Sequence, residues 1–192
     1  AQSTLIQTPF VLKPDDGGSS VDTFVIRDVS AYDHAAITTA FGRHPNMLLE
    51  EPIDGQEITV GVLQDQALPV IEIVPPSDGE FDYANKYNGK TQELCPPQSV
   101  DAGIQQRAQD LALRIHRLLG VRDMSRTDMM ISPDGSLYVL ETNTIPGMTG
   151  QSLFPKDAAV TGTPIPHLAT LADGPPPAPP SSTPSSPACR RI

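Results

Sequence analysis

Two apolar runs meet at Ser132-Pro133-Asp134-Gly135, and each carries polar groups two residues apart: Arg126 and Asp128 before the turn, Glu141 and Asn143 after it. This segment constrains the fold more than any other. Strands alternate faces, so Arg126 shares a face with Asp128, and Glu141 with Asn143. Burying carboxylates costs roughly several kcal/mol unless they are paired or bound to a cation. With Ile131 opposite Ser136, Asp128 falls opposite Val139 and Arg126 opposite Glu141, and all four polar groups converge on one face. Thr127, Met129, Ile131, Tyr138 and Leu140 are then expected on the core side. A slip of one residue would break the convergence.

Two chemistries suit such a face. Two carboxylates and an amide oxygen are hard ligands for Mg²⁺, and an arginine beside them could stabilise negative charge developing on a reacting phosphate or tetrahedral centre. Alternatively, Arg126 and Glu141 form a cross-strand ion pair on a partly exposed sheet. The hairpin by itself leaves both open.

The rest of the chain narrows the class. A formal charge of -10, from 13 Lys+Arg against 23 Asp+Glu, argues against a nucleic-acid or anionic-membrane surface, which needs a basic patch. The two cysteines, Cys95 and Cys189, have no metal-ligand spacing, so a reducing cytosol is the expected compartment. Cys95 adjoins two prolines and has no local base. His34, His44, His116 and His167 form no spaced pair, and His116 is expected at the surface or boundary of its helix. No run of about 18 apolar residues predicts a membrane helix. The opening AQSTLIQTPFVLKP lacks a signal-peptide layout and starts just before an expected strand, as a piece of a longer chain would.

Strands are expected at TPFVLKP, TFVIRDV, NMLLEEPI, QEITVGVL and ALPVIEIVPP. In QEITVGVL, Ile58, Val60 and Val62 share a face. A helix follows Ser30, with Ser30 and Asp33 as a capping box and Ala35, Ala36, Ile37, Ala40 and Phe41 on its apolar side. The best helix is DAGIQQRAQDLALRIHRLLG, with Ile104, Ala108, Leu111, Ile115, Leu118 and Leu119 at helical spacing and Gly120 at C′. Residues 77–98 read as a long polar loop, and DGPPPAPPSSTPSSPACRRI as an extended, disordered tail.

Three further stretches bear on phosphate and nucleotide. Lys13 ends a strand and Gly17-Gly18-Ser19-Ser20 follow; glycines admit an anion to backbone N–H groups and lysine supplies a point charge. A flexible turn has the same composition. Lys86, in DYANKYNG, is a second phosphate contact or a solvated lysine. In Glu50-Glu51-Pro52-Ile53 the Glu51 carbonyl and Ile53 N–H could read an adenine edge, and Glu57 could accept from ribose hydroxyls; a surface turn with solvated acids fits as well.

Taken in order, PFVLKP…GGSSV, LLEEPIDGQEITVGVL, LPVIEIVPP…FDYANKY…TQELCPP, RTDMMI and LETNTIPGMTGQSLFPK resemble D-alanine–D-alanine ligase over residues 9–157. The resemblance implies an α+β ATP-grasp fold, two lobes of antiparallel sheet with helices and ATP between them. Residues 1–53 would be part of the small lobe, 54–160 the large lobe with the metal site, and 161–192 the proline-rich tail. It implies Asp128, Glu141 and Asn143 as ligands of two Mg²⁺ ions (or Mn²⁺), and Lys13 and Lys86 on the ATP phosphates. Glu50, Glu51 and Ile53 would hold adenine and Glu57 the ribose. Arg126 with the Gly147 backbone would stabilise the oxyanion, Ser152 would hold the acceptor carboxylate, and Ser19 with Tyr87 would help close the loop.

The implied reaction phosphorylates one D-alanine carboxylate from ATP and joins it to a second D-alanine for peptidoglycan, in the cytoplasm. The sequence departs from the pattern at Asp16 and Gly17, where the family usually has arginine and glutamate, and at Asp22, usually glycine. Unless these acids point to solvent, phosphate affinity should suffer. The family's N-terminal domain has no counterpart in these residues, and VTGTPIPHLATLADG with the tail stands where its C-terminal helix would be. Candidate macromolecular partners are therefore a second copy or a separate N-terminal domain. Two alternatives accompany the leading reading: an ATP-grasp ligase for another amino acid, and a non-catalytic Mg-ATP-binding or interaction module.

Overall fold

The computed structural model describes residues 8–16, 18, 20–28, 30, 32–75, 91–150 and 152–163. Ser19, Lys86, Tyr87 and the proline-rich segment lie outside the described residues. A three-stranded antiparallel sheet, in the order β2-β1-β3, contains β1 (Phe10–Pro14), β2 (Phe24–Ile26) and β3 (Met47–Glu50). Five further strands follow: β4 (Gln56–Leu63), β5 (Gln66–Val74), β6 (Gln92–Leu94), β7 (Met124–Ile131) and β8 (Leu137–Asn143). They form an antiparallel sheet in the order β6-β5-β4-β7-β8. The helices are α1 (His34–Arg43), α2 (Ala102–Leu118) and α3 (Leu153–Val160).

The alternation in QEITVGVL does what period 2 requires. Ile58, Val60 and Val62 join Val70, Met129 and Ile131 in a dry cluster, closed by Ala108 and Ala112 of α2. Small residues at these two helix positions let α2 approach the sheet closely. Asp101 caps α2 by accepting from the Gly103 N–H at 2.7 Å, and Gly120 adopts the left-handed φ of 64° expected after a helix end. The apolar stripe stops short of that end: Leu118 and Leu119 are exposed, whereas His116 is buried with Nδ1 2.8 Å from Ser125 Oγ. The expectation for these three residues is therefore reversed. Among the described residues, no helix is long and apolar enough to cross a membrane.

Local corrections follow the same logic of competing partners. Asp33 alone caps α1, accepting from the Ala36 N–H at 3.0 Å, while Ser30 bonds back to Asp28, so there is no capping box. On α1, Ala40 is buried and Phe41 is exposed. Gln92–Leu94, assigned to a loop by sequence, pairs with β5 as an edge strand. α3 was not expected; it begins directly after Ser152 and packs Phe154 and Ala158 against Leu63, Leu68 and Met124.

The β7–β8 hairpin differs from expectation twice. Ser132 N–H donates to the Ser136 carbonyl and Gly135 takes a φ of 79°, so the loop gains a residue and Ile131 pairs with Leu137 instead of Ser136. A bulge then leaves Leu140 unpaired, after which Asp128 faces Glu141 and Arg126 faces Asn143. One slip would have turned Glu141 away; two restore the parity. Tyr138 and Leu140 are exposed and do not join the core. β8 ends the sheet, so its side chains have fewer neighbours.

Candidate active site

β4 supplies the middle of the polar face. Thr59 pairs with Asp128 and Gly61 with Arg126, so all four share one side of the sheet with Glu141 and Asn143. Asp128 is buried at 6% exposure and held from both flanks. Its Oδ1 accepts from Thr59 Oγ1 at 2.5 Å and from Arg126 Nε at 2.9 Å; Oδ2 accepts from Arg126 Nη2 at 2.8 Å. The fork is therefore within β7, and the cross-strand Arg126–Glu141 pair considered from sequence is replaced by it. Burial alone would pull the Arg126 guanidinium down, but the hydrogen bonds and charge of Asp128, with Glu141 and Glu57 beyond, push it up. Glu141 stays exposed, its Oε1 accepting from Asn143 Nδ2 at 3.1 Å.

This face forms one wall of a cleft of about 730 Å³ between the two sheets, a size suited to a small organic ligand. Glu57, Asp128, Met130, Leu140 and Glu141 line one side; Lys13, Glu50, Glu51 and Ile53 line the other. The bulge accounts for Leu140, which is turned into the cleft. Lys13 Nζ lies 2.7 Å from Glu50 Oε2, on adjacent strands of the small sheet. Gly18 and Ser20 of the glycine-serine turn also reach the cleft.

The comparisons agree on what the chain is similar to. The family model described as "D-ala D-ala ligase C-terminus" matches residues 2–171. The chain belongs to that family. The D-alanine–D-alanine ligase of Nitratidesulfovibrio vulgaris is 42% identical over 161 residues, covering 83% of this chain and 52% of that protein. The ligase of Syntrophobacter fumaroxidans is 43% identical over 159 residues, covering 80% and 50%. Among solved structures, the Bacillus anthracis D-alanine–D-alanine ligase complexed with ATP superposes with a TM-score of 0.69 at 30% identity, covering 85% of this chain and 50% of that one. The VanG D-Ala:D-Ser ligase from Enterococcus faecalis gives 0.72 at 33%, covering 88% and 50%. The chain thus spans about half the length of its relatives. The fold is ATP-grasp, of the α+β class.

Within this ligase-family fold, eight residues singled out by sequence gather at the cleft or its wall: Lys13, Glu50, Glu51, Ile53, Glu57, Asp128, Glu141 and, behind Asp128, Arg126. Asn143 touches Glu141. Gly147 and Ser152 meet each other instead, in the loop before α3. A Cβ on Gly147 would lie 2.8 Å from Ser152 Oγ, and that hydroxyl accepts from the Thr149 N–H at 3.1 Å.

Three features escaped sequence reading. Thr59 holds Asp128; its position between Ile58 and Val60 already placed it opposite the core. Asp157 of α3 is buried with Oδ1 unpartnered, its Oδ2 accepting from the Gly61 N–H at 3.3 Å. Burial pushes its carboxyl up to about 7 against that bond. Gly61 leaves room for these groups, since a Cβ would crowd Asp157 Oδ2 at 2.9 Å and Leu68 Cδ1 at 2.8 Å. Finally, Asp22 points not to solvent but to Arg43 and His44, which answers the concern about its charge.

Proposed function

We propose that this chain supplies the nucleotide- and metal-binding part of a cytoplasmic ATP-dependent ligase that joins two D-alanines for peptidoglycan. The observation that carries the reading is the Arg126–Asp128–Glu141–Asn143 face, set across one cleft from Glu50, Glu51 and Ile53. In the reaction, the γ-phosphoryl group of ATP passes to the carboxylate of one D-alanine. The amine of a second D-alanine attacks the acyl phosphate; a C–N bond forms, the C–O bond to phosphate breaks and the amine loses a proton.

Two carboxylates and an amide oxygen on one face fit the hard donor set of two Mg²⁺ ions, with Mn²⁺ as the alternative, so Asp128, Glu141 and Asn143 would hold them. When bound, such a cation neutralises phosphate charge. Thr59 and Arg126 hold Asp128 oriented. Arg126, with the Gly147 N–H, would meet charge at the tetrahedral centre, where fixed donors act strongly. Glu50, Glu51 and Ile53 would contact adenine, Glu57 the ribose, and Lys13 and Lys86 the phosphates. Lys13 would exchange Glu50 for phosphate. Ser152 would hold the acceptor carboxylate, with Ser19 and Tyr87 closing over the site. An N-terminal domain or a second copy would complete the pocket for the first D-alanine.

Mass spectrometry of the chain with ATP, Mg²⁺ and D-alanine tests this, with Glu141→Gln as control. Dipeptide that disappears in the control supports the reading. Its absence from folded protein that binds Mg-ATP means that ligation requires a further domain or another substrate. The likeness to a D-Ala:D-Ser ligase favours a second reading, ligation to a different acceptor; D-serine in the same assay distinguishes them.

A further inference from the structure

The turn that brings Gly18 and Ser20 to the cleft is held from behind by an ionic cluster that the reaction does not use. Arg43, the last residue of α1, grips Asp22 with both arms of its guanidinium: Nε to Oδ2 at 3.0 Å and Nη2 to Oδ1 at 2.6 Å. His44, the cap of the same helix, places Nε2 3.0 Å from Asp22 Oδ2 and Nδ1 3.3 Å from Asp16 Oδ1. A neutral imidazole can donate to only one of these carboxylates; the imidazolium donates to both. Asp16 and Asp22 bracket the turn, so one helix end holds both of its feet.

The backbone between them requires such a hold. Ser20 and Asp22 have φ of 58° and 56°, a left-handed conformation that disfavours residues other than glycine. Val21 N–H bonds to Gly18 O at 3.1 Å and Thr23 N–H to Ser20 O at 3.3 Å, giving two overlapping turns. The Asp22 side chain is only 11% exposed, and the hydrogen bonds from Arg43 lead in keeping its carboxyl low, with His44 adding to them against burial.

We propose that Asp16, Asp22, Arg43 and His44 form a clamp that positions the glycine-serine turn and so sets how tightly the cleft holds nucleotide phosphates; this rests on the nucleotide reading above. These are positioning residues, acting through Gly18 and Ser20. Arg43 also offsets the charge of Asp22, which would otherwise repel an anion. Loosening it should weaken the phosphate-dependent part of binding and leave the adenosine part alone.

The experiment measures Kd for Mg-ATP and for adenosine on the full chain, by displacement of a fluorescent ATP analogue. Wild type is compared with Arg43→Ala, Arg43→Lys, Asp22→Asn and the Arg43→Ala/Asp22→Asn pair. Arg43→Ala should weaken Mg-ATP roughly fivefold to tenfold with adenosine unchanged, and the double variant should lose no more than the single. Arg43→Lys should recover only part, since an ammonium cannot form the fork. Equal loss for ATP and adenosine, or none, overturns the clamp while leaving nucleotide binding standing. A wild-type chain that binds neither overturns the nucleotide reading and the clamp with it. Asp22→Asn, nearly isosteric, keeps the comparison valid if Arg43→Ala fails to fold, as melting by circular dichroism would reveal.

Discussion

The two faces of the five-stranded sheet are made by the same strands, yet they obey different rules. Toward α2, Ile58, Val60, Val62, Met129 and Ile131 form an apolar layer, and the buried Glu72 opposite Ile58 is tied off by Ser99 and the Gln98 N–H. One residue along each strand, Thr59, Gly61, Arg126 and Asp128 form a hydrogen-bonded row that opens into the cleft, and α3 covers its far end with a buried carboxyl. The first face stabilises by removing apolar area from water, which is tolerant of shape and indifferent to direction. The second places charges whose desolvation is offset only by specific partners, so it holds chemistry at some expense of stability.

Neighbouring residues on opposite faces give the largest test. Met129→Ala should lower stability by about 2–5 kcal/mol in urea unfolding and leave the Kd for Mg-ATP unchanged once folded. Asp128→Asn should weaken Mg-ATP about 100-fold or more by removing a hard ligand, and should also cost stability by leaving Arg126 without its counter-charge. If Met129→Ala weakens Mg-ATP in folded protein, or Asp128→Asn leaves it unchanged, the division of labour between the faces is wrong.

Asp157 sharpens the comparison through pH. Its carboxyl is at about 7 when folded against an ordinary 3.8, so between those values the folded chain keeps a proton that the unfolded chain has lost. Its contribution to stability is therefore full below about pH 4 and is lost as pH rises toward 7, up to roughly 4 kcal/mol at ~1.4 kcal/mol per unit. Asp157→Asn should flatten that slope in urea titrations from pH 4 to 8.

A smaller effect is expected at Thr59. Thr59→Val keeps the shape and removes one donor to Asp128, costing about 1–3 kcal/mol for the acceptor left short, with Mg-ATP affinity the second readout. Smallest of all is the surface control: Arg117→Ala breaks an exposed pair with Asp65 and should leave the urea midpoint where it was.

Much of this was legible from local pattern. Alternation put Ile58, Val60 and Val62 in the core, helical spacing found α2, and Gly120 marked its end. Of the residues expected around a nucleotide, Lys13, Glu50, Glu51, Ile53, Glu57, Asp128 and Glu141 line one cleft. What was not legible was mostly non-local. Asp22 meets Arg43 and His44 from about twenty residues away, and Asp157 meets Gly61 from 96 residues away. α3 has a short, weakly periodic sequence that only its packing on Leu63 and Leu68 explains.

The sequence by itself determined which side chains can share a face, because that parity is built into the extended backbone and needs no partner. It could not determine register. The glycine turn and the Leu140 bulge each moved β8 by one residue, and the sum alone returned Glu141 to the side of Asp128. Which charge Arg126 holds, whether Asp157 keeps its proton and what steadies the 18–22 turn were decided by tertiary structure. Those outcomes depend on which surfaces meet and how much water leaves between them, and neither is written in any single stretch of chain.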